Sequence, residues 1–265
     1  MLNTKTVVQR PFHSLNDGPG AAAANHPPLP TLQSHIMHDL DERLHFFHQM
    51  PLFAGLNETE LSHLATDFRP RFFRQGETIF HEGDPGQALY VVARGRIRIY
   101  IQNEEGQETS VILYGPAALF GELAVIDERP RSANASAMED TILYTLDRAH
   151  FRQHLKQLPQ LALNFMQTLA DRVRYNTTQM ESLTLLDLPH RLARKLLELA
   201  RDYGRVETTG VIIDMKLTQT DLASLVGATR ESVNKTIRAF RDEKLIQFEQ
   251  GYITILDPEA LHERL

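Results

Sequence analysis

The stretch from Phe120 to Ala137 carries the most chemistry in the chain. Gly121, Glu122, Leu123 and Ala124 are followed, nine residues after the glutamate, by Arg131 and Ser132. A glycine lets the backbone approach a ligand closely, and the short turn after it offers amide donors. An arginine fork grips a phosphodiester through paired charge-assisted hydrogen bonds, leaving the serine hydroxyl and the amides for its other oxygens. The Glu122 carboxylate can accept from a sugar hydroxyl. Taken singly these residues say little, because surface glutamates and arginines are mostly solvated. The whole string at this spacing describes a clamp for a phosphate and its sugar.

A second constellation lies toward the carboxyl end. Between Leu217 and Phe240 the chain reads as two helices joined at Gly227, with Thr218 and Thr229 as N-caps and Leu222, Val226, Val233 and Ile237 as buried positions. This pattern predicts a helix-turn-helix. Its second helix carries Arg230, Glu231, Ser232, Asn234, Lys235, Arg238 and Arg241. Arg230 and Lys235 can donate to guanine edges or phosphates, and Glu231 can accept from cytosine. Ser232 and Thr218 suit backbone phosphates, and Gln219 and Thr229 complete the expected DNA-contacting set. Charge alone fits an ordinary solvated helix face equally well; the turn glycine and the base-reading residues at the helix start favour DNA.

Composition excludes several other chemistries. Cysteine is absent, which rules out disulfides and cysteine-ligated iron–sulfur clusters. His35, His38, His45 and His48 fall at helical spacing and could hold a metal or haem. Histidines on a polar helix are mostly solvated, and with no thiol or carboxylate cage beside them no metal site is expected. Neither a P-loop, a nucleophile elbow nor a metalloprotease signature is present, so no enzyme is expected. The formal charge of −6 gives no global basic character, so any DNA-binding surface must be local. No apolar run approaches the roughly 20 residues needed to cross a bilayer, and the amino terminus lacks a signal-peptide core. A cytoplasmic protein with no membrane partner is expected.

These groups need elements to hold them, and 265 residues at 42% hydrophobic suffice for two domains. Residues 1–33, rich in Gly, Ala and Pro, show no amphipathic period and read as a disordered or loosely docked tail. A helix is expected over 34–50 and another over 58–66. Short β-rich runs follow at 69–73, 78–80, 89–101, 109–114, 133–138 and 141–146, punctuated by glycines, as in a small barrel or jelly roll. From about 159 to 186 a long helix places Ala162, Met166, Leu169, Val173, Asn176, Met180 and Leu183 at alternating steps of four and three. That is the seam of a coiled coil and predicts a homodimer. Asp187-Leu188-Pro189 breaks the pattern and marks a hinge. Beyond it come a helix over 190–203, a strand near 211–215, the helix-turn-helix, and a hairpin around Gln250-Gly251 that would form a wing.

In this order the motifs from about Phe46 onward resemble the Crp/Fnr superfamily of bacterial transcription regulators, on the cyclic AMP receptor side. The resemblance rests on the string from Phe120 to Ala133, on Asn176-Thr177, and on Val226-Gly227-Ala228-Thr229-Arg230-Glu231-Ser232-Val233. It implies an α+β fold: a cyclic-nucleotide-binding jelly-roll β-barrel at 34–158, a dimerisation helix at 159–186, and a winged helix-turn-helix domain at 187–265. It further implies cAMP as effector, with Glu122 on the ribose, Arg131 and Ser132 on the cyclic phosphate, Asn176 and Thr177 at the adenine, and Gly121, Leu123 and Ala124 completing the nucleotide-binding set. The best-known members carry a Thr-Ser pair there, and an arginine is common where Lys235 stands. The partners implied are a second copy of the chain, double-stranded DNA with a roughly palindromic operator, and RNA polymerase. A cyclic-di-GMP-responsive regulator, or a ligand-independent or haem-sensing one, would share the fold.

Overall fold

The computed structural model describes residues 40–264. His35, His38 and the expected tail lie outside them, as does the start of the helix expected from residue 34. Helix α1 (Leu40–His48), a 3-10 turn (Pro51–Phe53) and α2 (Glu58–Asp67) lead into the sheets. Asn57 caps α2 reciprocally: its Oδ1 accepts from the Glu60 amide at 2.9 Å, and Glu60 Oε2 accepts from the Asn57 amide at 2.9 Å.

Eight strands then form two antiparallel four-stranded sheets. β1 (Arg69–Phe73), β8 (Thr141–Asp147), β3 (Ala88–Arg94) and β6 (Leu119–Phe120) make one; β2 (Thr78–Phe80), β7 (Asn134–Ala137), β4 (Ile97–Gln102) and β5 (Glu108–Tyr114) make the other. The run expected as one strand over 89–101 is two, because Gly95 turns the chain at φ +88°. β3 is buried on both faces. Tyr90 and Val92 point between the sheets with Phe73, Ile97, Phe120 and Leu143, while Leu89 and Val91 face a helical layer with Phe47, Leu64, Phe68 and Phe151. That double burial is why the strand reads as an unbroken apolar run rather than an alternating one.

α3 (Leu123–Ile126) sits between β6 and β7, and α4 (Arg148–Gln157) follows β8. The long helix α5 (Pro159–Leu185) packs only its root, through Leu161 and Phe165, into the helical layer. Past Asp187, which caps it, α6 (Leu188–Tyr203) starts a third core. β9 (Gly204–Glu207) and β10 (Gly210–Ile213) precede α7 (Gln219–Val226) and α8 (Arg230–Asp242), and β11 (Ile246–Glu249), β12 (Tyr252–Ile255) and α9 (Pro258–His262) close the chain. β11 and β12 turn through Gln250 (φ +51°) and Gly251 (φ +88°), two successive positive φ angles as in a type I′ hairpin. This wing joins β10 and β9 in the order β11-β12-β10-β9; β9 has no apolar alternation and is fully exposed, so the sequence did not mark it.

Candidate ligand pocket and nucleic-acid interface

A cavity of about 460 Å³ opens between the second sheet, the 121–133 loop and α5. Its floor is the cassette. Gly121 has φ +74°, and a Cβ there would lie 2.7 Å from an Arg131 nitrogen and 3.2 Å from the Tyr90 ring, so only glycine fits. Arg131 is 5% exposed and lies along the Phe80 ring, 4.3 Å from its centroid. Its Nη atoms donate to Gly121 O at 2.5 Å and Ala88 O at 2.6 Å, while Nε is buried without a partner. Burial lowers the guanidinium's pKa, against the pull of Tyr90, Glu122 and Asp84. It remains a cation, since arginine ordinarily titrates far above neutrality.

Glu122 is 2% exposed. Its Oε1 is paired with Arg172 of α5, which also donates to Leu119 O and lies over the Tyr114 ring at 5.2 Å. Its Oε2 is buried with no partner. A carboxylate oxygen held out of water and unbonded is an acceptor waiting for a donor. Burial pushes the Tyr114 phenol up to about 12, so it stays protonated beside the pair. Leu123 and Ala124 open α3, whose internal bonds begin only at the Val125 amide, 3.0 Å from Glu122 O. Ser132 is exposed at the pocket edge. The upper wall is apolar, from Ile99, Ile101, Val111, Leu169 and Val173, with Asn176 as a polar group among them.

The cavity thus gathers Gly121, Glu122, Leu123, Ala124, Arg131, Ser132 and Asn176. Thr177 is placed apart: it is exposed and donates to its own helix at Val173 O, 3.0 Å away. Arg172 carries no motif, and in sequence is one more arginine on a polar helix. Its place four residues before Asn176, one turn along the same face, is the signal that could have marked it.

On the other side of the hinge, Thr218 caps α7 with Asp221 in a reciprocal box, and Gly227 ends it in the left-handed region at φ +60°, ψ +50°. Thr229 accepts from the Ser232 amide at 3.2 Å and starts α8. Val233, Thr236, Ile237 and Phe240 are buried, so Arg230, Glu231, Lys235, Arg238 and Arg241 share the opposite, exposed face. Among the described residues no ion pair engages those four cations. Gln219 is committed to Asn234, its Nε2 donating to Oδ1 at 3.0 Å, and so braces one helix against the other.

α7 also docks on β5. Ser224 Oγ accepts from the Ser110 amide at 2.7 Å, contacts Ser110 Oγ at 2.9 Å and donates to Glu108 O at 3.2 Å. Arg96 Nη2 donates to Asp214 O at 2.6 Å, and Tyr203 Oη to Leu113 O at 3.3 Å. A polar seam, buried at Ser110 and Ser224, therefore couples the pocket's own sheet to the helix-turn-helix domain.

Residues 70–157 match the cyclic nucleotide-binding domain, and residues 190–264 the Crp-like helix-turn-helix domain. A "CRP-like cAMP-activated global transcriptional regulator" of Mycobacterium tuberculosis is 32% identical over 213 residues, spanning 80% of this chain and 95% of its own length. The chain belongs to the Crp/Fnr family. A cyclic AMP receptor protein of Thermus thermophilus is 35% identical over the same shares of both chains. A solved Crp/Fnr-family transcriptional regulator, also from Thermus thermophilus, is 30% identical, with a TM-score of 0.60 over 74% of this chain and 97% of that one. As a Crp/Fnr member the chain is a DNA-binding transcription regulator with a cyclic nucleotide-binding domain, and its relatives are regulators rather than enzymes. The fold class read from the sequence agrees with this architecture. Among the described residues no helix is long and apolar enough to cross a membrane.

Proposed function

We propose that the chain is a homodimeric, cAMP-controlled regulator that binds a roughly palindromic operator and acts on RNA polymerase in the cytoplasm. The observation that carries the effector reading is the Glu122–Arg172–Arg131 arrangement around the cavity. Two guanidiniums against one carboxylate leave a single positive charge, which suits the one negative charge of a cyclic mononucleotide better than the two of a cyclic dinucleotide. The unbonded Oε2 of Glu122 suits a ribose 2′-OH. Asn176 bears an amide, the side chain that pairs in bidentate fashion with N6 and N7 of adenine.

Support for the dimer comes from α5, where Met166, Val173 and Met180, seven residues apart, are exposed by more than half. Such an apolar stripe on a helix that reaches beyond its own domain fits a partner helix. In this reading 34–158 bind ligand, 159–186 dimerise and 187–265 bind DNA. Thr218, Thr229, Arg230, Glu231, Ser232 and Lys235 contact the operator, Gln219 braces them, and Thr177 lies toward the partner helix.

Calorimetric titration of the full chain with cAMP, cGMP and cyclic-di-GMP tests the effector, paired with operator affinity in each ligand. Binding of cAMP at one site per chain, with a gain in DNA affinity, is expected. Tighter binding of either rival, or cAMP binding that leaves DNA affinity unchanged, overturns the reading.

A further inference from the structure

The helical layer on the far side of the first sheet from the cavity holds a second cluster of ligand-capable groups. Helix α2 presents His63 and Asp67, four residues apart, and α4 presents His150 and His154, also four apart. Residues four apart share one helix face, so two packed helices each offer a pair to the same gap. One ligand atom from each of His63, Asp67 and His154 lies within 4.8 Å of the other two. His154 is 1% exposed, with Nε2 2.8 Å from Asp67 Oδ2. The His63 and His154 rings stand edge to face at 5.7 Å. His150 turns its Nε2 toward Asp67 Oδ1 at 3.8 Å while its Nδ1 sits 2.5 Å from Asp147 Oδ2.

This last contact is the cap of α4, as Asp187–His190 is of α6, and it leaves His150 Nε2 to face Asp67. A histidine that ligates a metal characteristically gives its other ring N–H to a carboxylate, which fixes the tautomer and aims the free nitrogen inward. Asp147 does that for His150. Two imidazoles and one carboxylate converge, with the His150 imidazole 3.8 Å from Asp67 beside them, a nitrogen-rich set that suits zinc and its neighbours rather than calcium or magnesium. Arg69 is the cation acting on His150, and it opposes a bound dication that Asp67 and Asp147 would offset.

We propose that His63, Asp67 and His154, with His150 as the fourth ligand, bind a divalent transition metal of the zinc class between α2 and α4. Because α4 leads through Leu158 into α5, the metal would staple the root of the long helix to the start of the sheet domain. Sequence spacing hid the site, since its two halves are 87 residues apart between Asp67 and His154.

The test uses the full chain, freed of metal by chelation and dialysis. Titration with Zn²⁺ should show one tight site per chain. Co²⁺ should give the strong visible ligand-field bands of four-coordinate nitrogen and oxygen ligation, and Mg²⁺ in excess should leave the site empty. His63 is exposed, so His63→Ala keeps the fold and should weaken Zn²⁺ at least tenfold while abolishing the Co²⁺ bands. Asp67→Asn should do the same, and His150→Ala should weaken binding with the stoichiometry kept. Absence of a tight site in the folded wild type would mean a His–Asp contact only. Unchanged binding in His63→Ala would place the metal elsewhere. Either result overturns the proposal.

Discussion

The buried, unbonded Oε2 of Glu122 makes a quantitative prediction about the ligand's sugar. Oε1 is satisfied by Arg172, so a ribose 2′-OH donating to Oε2 would remove the one open requirement of a carboxylate that is 2% exposed. A hydrogen bond to a charged group contributes about 1.5–3 kcal/mol, and every 1.4 kcal/mol is tenfold in affinity. The wild type should therefore bind cAMP about 10–150-fold more tightly than 2′-deoxy-cAMP.

The same step should shrink in order as the acceptor is weakened. Glu122→Gln keeps a neutral oxygen, worth about 0.5–1.5 kcal/mol and so about 2–13-fold. Glu122→Met keeps the volume without an acceptor, and there the two nucleotides should bind within about threefold. Titration calorimetry of three proteins with two ligands gives the full cycle, and the ratio between ligands cancels any general loss from leaving Arg172 unpaired. Wild-type affinities for the two nucleotides within threefold of each other would refute the assignment of Glu122 to the sugar.

Four further outcomes are expected. Arg131→Lys should lower cAMP affinity at least tenfold, because a point charge replaces a fork; Arg131→Ala should also lower Tm, since it frees the Gly121 and Ala88 carbonyls, and thermal melts separate the two. Arg230→Ala should cost about 1–3 kcal/mol at one operator position in randomised-site selections, whereas Lys235→Ala should weaken all sequences alike and reduce the salt slope by about 1. Ser224→Ala leaves the Ser110 amide and Glu108 carbonyl unpaired at the docked seam, at about 1–3 kcal/mol, so hydrogen exchange at Ser110 should quicken about fivefold or more. Asn176→Leu should raise the dimer's melting temperature yet abolish the ligand-dependent gain in DNA affinity; a mutant that keeps the full gain would assign Asn176 to register alone.

The sequence disclosed elements wherever local chemistry decides structure. The caps at Thr218 and Thr229, the left-handed turn at Gly227 and the hairpin turn at Gln250-Gly251 each need a residue type that few other settings demand. The cassette was legible for the same reason, since Gly121 answers to its own φ and to the Arg131 side chain beside it. What escaped depends on long-range assembly. Arg172 acquires meaning only when α5 crosses the cavity 50 residues after Glu122, and the Ser110–Ser224 seam joins residues 114 apart. Histidines read along single helices point to His45 and His48, both exposed on α1, whereas the three residues that converge come from two helices.

Asn176 occupies the wall between two cavities, and this position says how a ligand could reach DNA. One face borders the 460 Å³ pocket; the other borders a cavity of about 270 Å³ lined by Ser110, Leu183, Arg194 and Gly227. Leu183 lies against the helix-turn-helix bend, where a Cβ on Gly227 would be only 3.1 Å from its Cδ2. The preceding residue, Tyr175, is tied to α6 by its hydroxyl, 2.9 Å from Glu198 and 3.1 Å from Lys195. In the proposed reading, a base packed against Asn176 would press on one turn of α5 that also carries the exposed apolar stripe and the bond to α6. A ligand moves such an equilibrium only by binding one arrangement better than the other. Asn176 stands one turn beyond Arg172, the α5 residue that holds Glu122, so a shift of α5 would be felt at the carboxylate as well as at Asn176.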